Sequence, residues 1–474
     1  MRNLMLVLLL AIAGAGCTFG PNYARPDLDV PAVWRVEESE AKELADTAWW
    51  SQFNDPVLNG LIDNALQENK DLLIAAARIE EFAARYGIVR ADLFPQVGAG
   101  ASYIREQVTR EGENKPAPGY ATLTETYSTN INVAWEIDLW GRIRRSTEVA
   151  QAQLLATEEA RHGVILSLVS NVASAYVNLR GLDRQLEISR KTALSREDSY
   201  KIFQERYNGG IISLLELTQN KSQYEEALAS IPPLEKAIAQ QENGLSVLLG
   251  RNPGPIPRGL DIDSLTLPAI ATGLPSDLLE RRPDIRQAEQ GLVAANAQIG
   301  VAKAAYFPVI SLTGLFGFAS DDLTDLFRDS AQIWQYGAPV TMPIFTAGKI
   351  SGNVKAAEAQ QKQALISYRQ SVQNAFREVN DFLADRRQTG SQLTAQKQQV
   401  GSLRQYDEIA RLRYDEGYTD FLTVLDAERS LFNAELSYTQ TQVTLHQSVI
   451  GLYKAMGGGW VQAAGQLAPT ENVQ

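Results

Sequence analysis

"DLLIAAARIEEFAARYGIVRADLFP" (71–95) and "DIRQAEQGLVAANAQIGVAKAAYFP" (284–308) are two copies of one stretch, displaced by 213 residues. Asp71, Ala75, Ala84, Gly87, Ala91, Phe94 and Pro95 recur as Asp284, Ala288, Ala297, Gly300, Ala304, Phe307 and Pro308. Further on the displacement is 207 and holds without a gap from Gly141 to Gly250. Arg206, Tyr207, Gly210 and Leu215 thus return as Arg413, Tyr414, Gly417 and Leu422. Chance does not keep one register over 110 residues. Self-similarity at a fixed spacing marks a unit used twice.

Each copy opens with an amphipathic helix, about 57–91 and 277–305, ended by Phe-Pro because proline disfavours helical geometry in the residue before it. Extended stretches follow. In "INVAWEIDLW" (131–140), Ile131, Val133, Trp135, Ile137 and Leu139 alternate with mostly polar residues, the period of a two-faced strand. "ISLTGLFGF" (310–318) and "YGAPVTMPIF" (336–345) read the same way. From 142 to about 207 the period changes and there is no proline. Apolar residues at 165, 169, 172, 176, 179, 182 and 186 step by threes and fours, a coiled-coil seam. Such a helix spans roughly 100 Å at 1.5 Å per residue. "RYNGGIISLLEL" (206–217) and "RYDEGYTDFLTV" (413–424) break the two rods with glycine, and a helix returns. Pro232-Pro233 is expected to interrupt the first returning helix, since proline lacks the N–H and clashes with the preceding turn.

The chain therefore reads as a leader (1–16), an N-terminal segment (17–56), repeat 1 (57–250), a linker (251–276), repeat 2 (277–459) and a tail (460–474). Repeat 1 holds strands at about 96–106 and 127–140 and a helical hairpin over 142–250. Repeat 2 holds strands at about 308–318 and 335–345 and a hairpin over 347–457. The fold class expected is mainly α, with a transmembrane β-barrel if these strands meet a membrane. Four strands cannot close such a barrel, for which about eight is the practical minimum. An open sheet in lipid leaves edge N–H and C=O groups unsatisfied. Strands that meet a membrane here must be shared between copies of the chain.

Composition narrows the function. The ten apolar residues 4–13 are too short to span a bilayer as a helix, which needs roughly 20, and fit a secretory leader. Cys17, the only cysteine, sits where that leader ends and is expected to carry a covalent lipid as a membrane anchor. A lone cysteine excludes disulfides within the chain and thiolate metal sites. Two histidines, His162 and His446, give poor support to a catalytic triad, so no enzyme and no cofactor are expected. A net charge of −12 argues against nucleic acid.

Further stretches carry a resemblance: "GPNYARP" (20–26), "WEIDLWGR" (135–142), "LPSDLLERRPDIRQAE" (274–289), "PIFTAGK" (343–349), "LDAERSLFNAE" (425–435) and "LYKAMGGGW" (452–460). Over essentially its whole length the chain resembles the outer membrane factor family, the TolC-like exit ducts, and within it the OprM-like outer-membrane efflux lipoproteins. The resemblance implies a homotrimer with a 12-stranded barrel and an α-helical periplasmic tunnel. It also implies a periplasmic adaptor and an inner-membrane pump, commonly of the resistance-nodulation-division class. The location implied is the outer membrane of a Gram-negative bacterium. An outlet for type I protein secretion is the alternative within the class. A periplasmic adaptor or coiled-coil scaffold is the alternative outside it, and neither needs two tandem copies with paired strands.

The resemblance also assigns roles at the periplasmic end. Leu422 falls on an apolar constriction and Asp426, one turn later, on an acidic ring that attracts cations. Arg413 and Tyr414 match residues that hold neighbouring hairpins shut. The first copy offers Leu215 opposite Leu422, but Gln219 opposite Asp426. Gly209, Gly210, Ser213, Gly417 and Thr419 form the tips against which an adaptor docks. Trp49 and Trp50 are expected to pack against the helices rather than at a lipid surface.

Overall fold

The computed structural model describes residues 18–28, 30–31, 34, 48–111, 117, 119, 121–268, 275–457 and 461. Cys17, the leader and the tail beyond 461 lie outside the described residues. The chain forms two compact units. One takes in the N-terminal residues to Asp27, residues 79–157 and residues 288–368; the other holds the rest.

The elements run α1 (Pro56–Glu68), α2 (Lys70–Ala91), β1 (Gln96–Gln107), β2 (Leu123–Glu136), α3 (Arg142–Asn208), α4 (Leu214–Leu248), α5 (Pro283–Ala304), β3 (Val309–Ser320), β4 (Gln332–Gly337), β5 (Val340–Thr341), α6 (Lys349–Asp415) and α7 (Phe421–Ala455). Helices α3 and α6 each have 67 residues, and α4 and α7 each have 35.

Five expectations need correction. The helix expected over 277–305 is broken at Arg282, which is extended between a short turn of helix (Leu278–Arg281) and α5, and the strand expected over 127–140 runs instead from Leu123 to Glu136. The single helix expected over 57–91 is two. Asn69 turns extended between α1 and α2, and its Oδ1 accepts from the Leu72 N–H at 3.1 Å to cap the second. The strand expected over 335–345 starts earlier and breaks after Gly337. Pro339 has no N–H for the ladder, and pairing resumes only at Val340 and Thr341 against the base of β3. Helix α4 runs through Pro232 and Pro233 instead of stopping. Both prolines are exposed, as are Leu228 and Ala229, whose carbonyls lose the N–H partners that the prolines lack.

The first unit is built on one antiparallel sheet in the order β1-β2-β3-β4. Its register sorts most side chains by polarity, the Arg105–Glu125 pair being an exception on the apolar side. Val97 faces Val133, Ala99 faces Ile131, Tyr103 faces Tyr127, Ile131 faces Phe316, Trp135 faces Leu312, and Phe316 faces Trp334. Because side chains alternate along a strand, all of these lie on one side. The other side carries Gly98 opposite Asn132, Gly100 opposite Asn130, Ser102 opposite Ser128, and Leu315 between Asn132 and Gln335. On the apolar side Val97, Ile131, Phe316, Trp334 and Tyr336 are all exposed. Among the described residues the outer edges of β1 and β4 pair with no strand.

In the same unit the N-terminal strap is held firmly. Phe19 packs against Phe307 with ring centroids 4.1 Å apart and the rings tilted, and Arg145 donates to the Asn22 side chain at 2.7 Å. Gly141, at φ +76°, lies against Thr18, where a Cβ would come within 2.9 Å of the Thr18 Cα.

The second unit is helical. Of the described helices, α3 alone is long and apolar enough to cross a membrane by length and composition. Its residues Ile165, Val169, Val172 and Tyr176 are fully buried in protein, as in a core helix. Trp49 is fully buried and stacks on Tyr453 at 5.0 Å; Trp50 is buried beside it. The Asp55 carboxylate, fully buried, accepts from the N–H of Val57, the N–H of Leu260 and the Tyr176 hydroxyl. The hydroxyl of Tyr176 in turn accepts from the Gly259 N–H at 2.9 Å. This node ties the start of α1 and the segment after α4 to α3.

Candidate functional site: the helical tips

The tips of the two hairpins are the same construction. Helix α3 ends with the Ile211 N–H bonded to the Arg206 carbonyl at 2.8 Å and the Gly210 N–H to the Tyr207 carbonyl at 2.9 Å. Helix α6 ends with Tyr418 on Arg413 at 2.7 Å and Gly417 on Tyr414 at 3.0 Å. This paired closure requires a left-handed residue just past the helix. Gly210 (φ +73°) and Gly417 (φ +81°) supply it. No atom lies within 4 Å of where either Cβ would be, so backbone conformation and not space selects glycine. Gly209 differs: it closes the last helical turn by donating to the Glu205 carbonyl.

The returning helices are capped. Ser213 and Glu216 form a reciprocal capping box at the start of α4. At the matching place before α7 stands Asp420, whose carboxylate accepts from the Thr423 N–H at 3.1 Å. Thr419 supports it through its hydroxyl, 3.0 Å from that of Thr423. Asp420 was not singled out in the sequence, although an acid directly before a helical period is a capping signal.

Behind the turns a small core joins the hairpins. Phe203 and Leu217 of the first pack with Ala410, Phe421, Val424, Leu425 and Ala427 of the second. Tyr414 packs on this core, and its hydroxyl accepts from Arg206 at 3.2 Å. Arg413, grouped with Tyr414 from the sequence, contributes its carbonyl to the turn; its guanidinium makes no ion pair among the described residues.

Leu422 and Leu215 stay out of that core. They are 55% and 66% exposed. Ile211, Leu214 and Tyr418 are exposed beside them. Leu422 and Asp426 line an open groove whose other wall is Thr218, Gln219, Ser222 and Gln223 of α4. Asp426 is not a bare carboxylate: Arg429, one turn on, donates to it at 2.9 Å. Sequence reasoning missed Arg429, although the (i, i+3) spacing of opposite charges was legible. Among the described residues no group of His, Cys, Asp or Glu side chains could hold a metal ion.

The family described as outer membrane efflux protein matches residues 61–251 and 274–458. The chain is 35% identical over 481 residues to the probable efflux pump outer membrane protein TtgC of Pseudomonas putida, covering all of this chain and 99% of that one. It is 36% identical over 464 residues to the cation efflux system protein CusC of Escherichia coli, covering 97% and 99%. Among solved structures, CusC superposes with a TM-score of 0.84 at 35% identity, over 93% of this chain and all of that one. The outer-membrane channel OprN gives 0.86 at 31% identity, over 94% and 100%. Two tandem matches, the whole-length likeness and a mostly helical chain with a two-faced sheet agree: this chain belongs to the outer membrane efflux protein family and is the outer-membrane component of a Gram-negative efflux system.

Proposed function

We propose that three copies of the chain share one closed barrel, each giving four strands, and form a passive exit duct. Drugs or other small molecules enter it from an inner-membrane pump of the resistance-nodulation-division class through a periplasmic adaptor. The observation that carries this reading is the sheet of β1–β4. One side is apolar, aromatic and exposed, and the other is lined by glycine, serine and asparagine. Both outer edges are unpaired among the described residues. In lipid such edges must find partners, and a second and third copy supply them.

A duct must close at its inner end or the periplasm leaks. The exposure of Leu422 and Leu215 supports a role there, since a leucine that packs no core is free to meet its symmetry mates. Tyr414 holds the second tip to the first. The turns at Gly209, Gly210, Ser213, Gly417 and Thr419, with Ile211 and Tyr418 exposed beside them, suit an adaptor. A lipid on Cys17 anchors the strap.

Planar-bilayer conductance of the purified protein, with its mass in detergent, tests the proposal. A trimer with discrete channels supports it. A monomer without conductance, in the unmodified protein and in Leu422→Ala alike, overturns it.

A further inference from the structure

Behind the tip, the seam between the hairpins contains charge. Arg196 lies twelve residues before the end of α3, about 18 Å along the helix at 1.5 Å per residue. Its side chain is only 3% exposed. The guanidinium sits over the Phe432 ring of α7, 5.4 Å from the centroid. Nη1 donates to the Gln223 carbonyl at 2.7 Å and lies 3.7 Å from Glu226, both on α4. Nε and Nη2 are buried and make no hydrogen bond among the described residues. From α7 the Glu428 carboxylate, 10% exposed, lines the same cavity. Arg411 of α6 holds it at 2.6 Å and also holds Asp407 at 3.1 Å.

A seam of this kind is costly to leave half-matched. A buried charge whose partner is removed is far worse than a pair, or than no charge at all. We infer that Arg196 and Glu428 form a charge layer across the two hairpins, one step behind the tip, that sets how readily the second hairpin leaves the first. They are positioning residues for the proposed gate, and the inference rests on that reading. None of the tip residues Leu422, Asp426 or Tyr414 belongs to this layer.

The charges facing Glu428 are Arg411 and Asp407 from α6 and Arg196 from α3, with Glu226 of α4 facing Arg196. Burial raises the Glu428 carboxyl above its ordinary value, against Arg411 and Arg196 and with Asp407. The packed seam therefore holds a proton on Glu428 more tightly than a solvated one does. Lowering the pH through that raised value favours packing, and raising it favours release.

The test is a cycle read by conductance of the assembled protein at pH 7.5 and below. Arg196→Met should raise conductance several-fold at pH 7.5, because Glu428 then keeps only the half-exposed Arg411. Arg196→Lys should conduct as the unmodified protein does. Acidification should return the Arg196→Met channel towards the unmodified level. Adding Glu428→Gln should abolish the effect of Arg196→Met, so that the double variant conducts as Glu428→Gln alone. An Arg196→Met effect that is the same with and without Glu428→Gln, or is indifferent to pH, overturns the layer. Arg196→Gln takes its place if the Met variant does not assemble, as judged by mass. Leu422→Ala is the control. If it conducts while the Arg196 variants change nothing, only the layer fails; if no variant conducts, the duct reading fails first.

Discussion

The Arg206 guanidinium of the first hairpin donates to the Tyr414 hydroxyl of the second at 3.2 Å, and both residues end their helices with the same glycine turn. They link the two hairpins just behind the exposed tips. Tyr414→Phe keeps the ring on Phe421 and removes only this bond, worth about 0.5–1.5 kcal/mol. The expected result is more frequent channel opening with little change in melting temperature. Single-channel recording beside a thermal melt checks it; an unchanged open probability removes Tyr414 from the gate.

Leu422 and Asp426 share a groove, and Arg429 holds the Asp426 carboxylate. Leu422→Ala should widen the proposed constriction and increase conductance for cations and anions together. Arg429→Ala should act differently. It uncovers three carboxylates in the proposed trimer, so the reversal potential under a salt gradient should shift towards stronger cation selectivity. Equal selectivity in Arg429→Ala and the unmodified protein would show that Asp426 does not face the ion path.

Helix α4 passes through Pro232 and Pro233 on its exposed face. A proline inside a helix is less favourable than alanine by up to about 3 kcal/mol. Replacing both with alanine restores two N–H donors where nothing crowds them. The melting temperature should rise, and a fall would mean that the prolines shape a bend the packing needs.

His446 is buried, donates Nδ1–H to the Gln442 carbonyl at 2.9 Å, and stacks on Phe53. Burial holds its pKa below the ordinary 6.5. The unfolded chain thus binds a proton that the folded one refuses. This contribution to stability is complete above about 6.5 and is lost as the pH falls towards the depressed value. Denaturant midpoints from pH 8 to 5 should fall, with a shallower fall in His446→Gln.

Much of this was legible in the sequence because it repeats. The 207-residue displacement puts Gly210 and Gly417 in the same turn, and the structure gives both the same left-handed backbone. The two-residue period of 131–140 placed Ile131, Val133 and Trp135 on one side of a sheet, as observed. What escaped depends on partners distant in the chain. The Asp55 node joins α1, Tyr176 and Leu260, and no local pattern brings these together. Arg196 reads as one cation among many until Phe432 covers it and Glu428 lines the same cavity. Asn69 gave no warning because an asparagine inside an amphipathic period breaks the helix only when another element, here the Leu248 carbonyl, takes its amide.

The equal lengths of the rods, 67 and 67 residues outward and 35 and 35 back, bear on how such a chain can change through descent. One residue added to a single rod turns everything beyond it by about 100° and advances it about 1.5 Å. That would swing Tyr414 away from Arg206 and strand the buried arginine. Insertions in one rod are therefore purged unless the other gains the same number, whereas the connection between β1 and β2 is free to lengthen. Length variation among descendants should collect in that connection, and the rods should grow or shrink only as matched pairs.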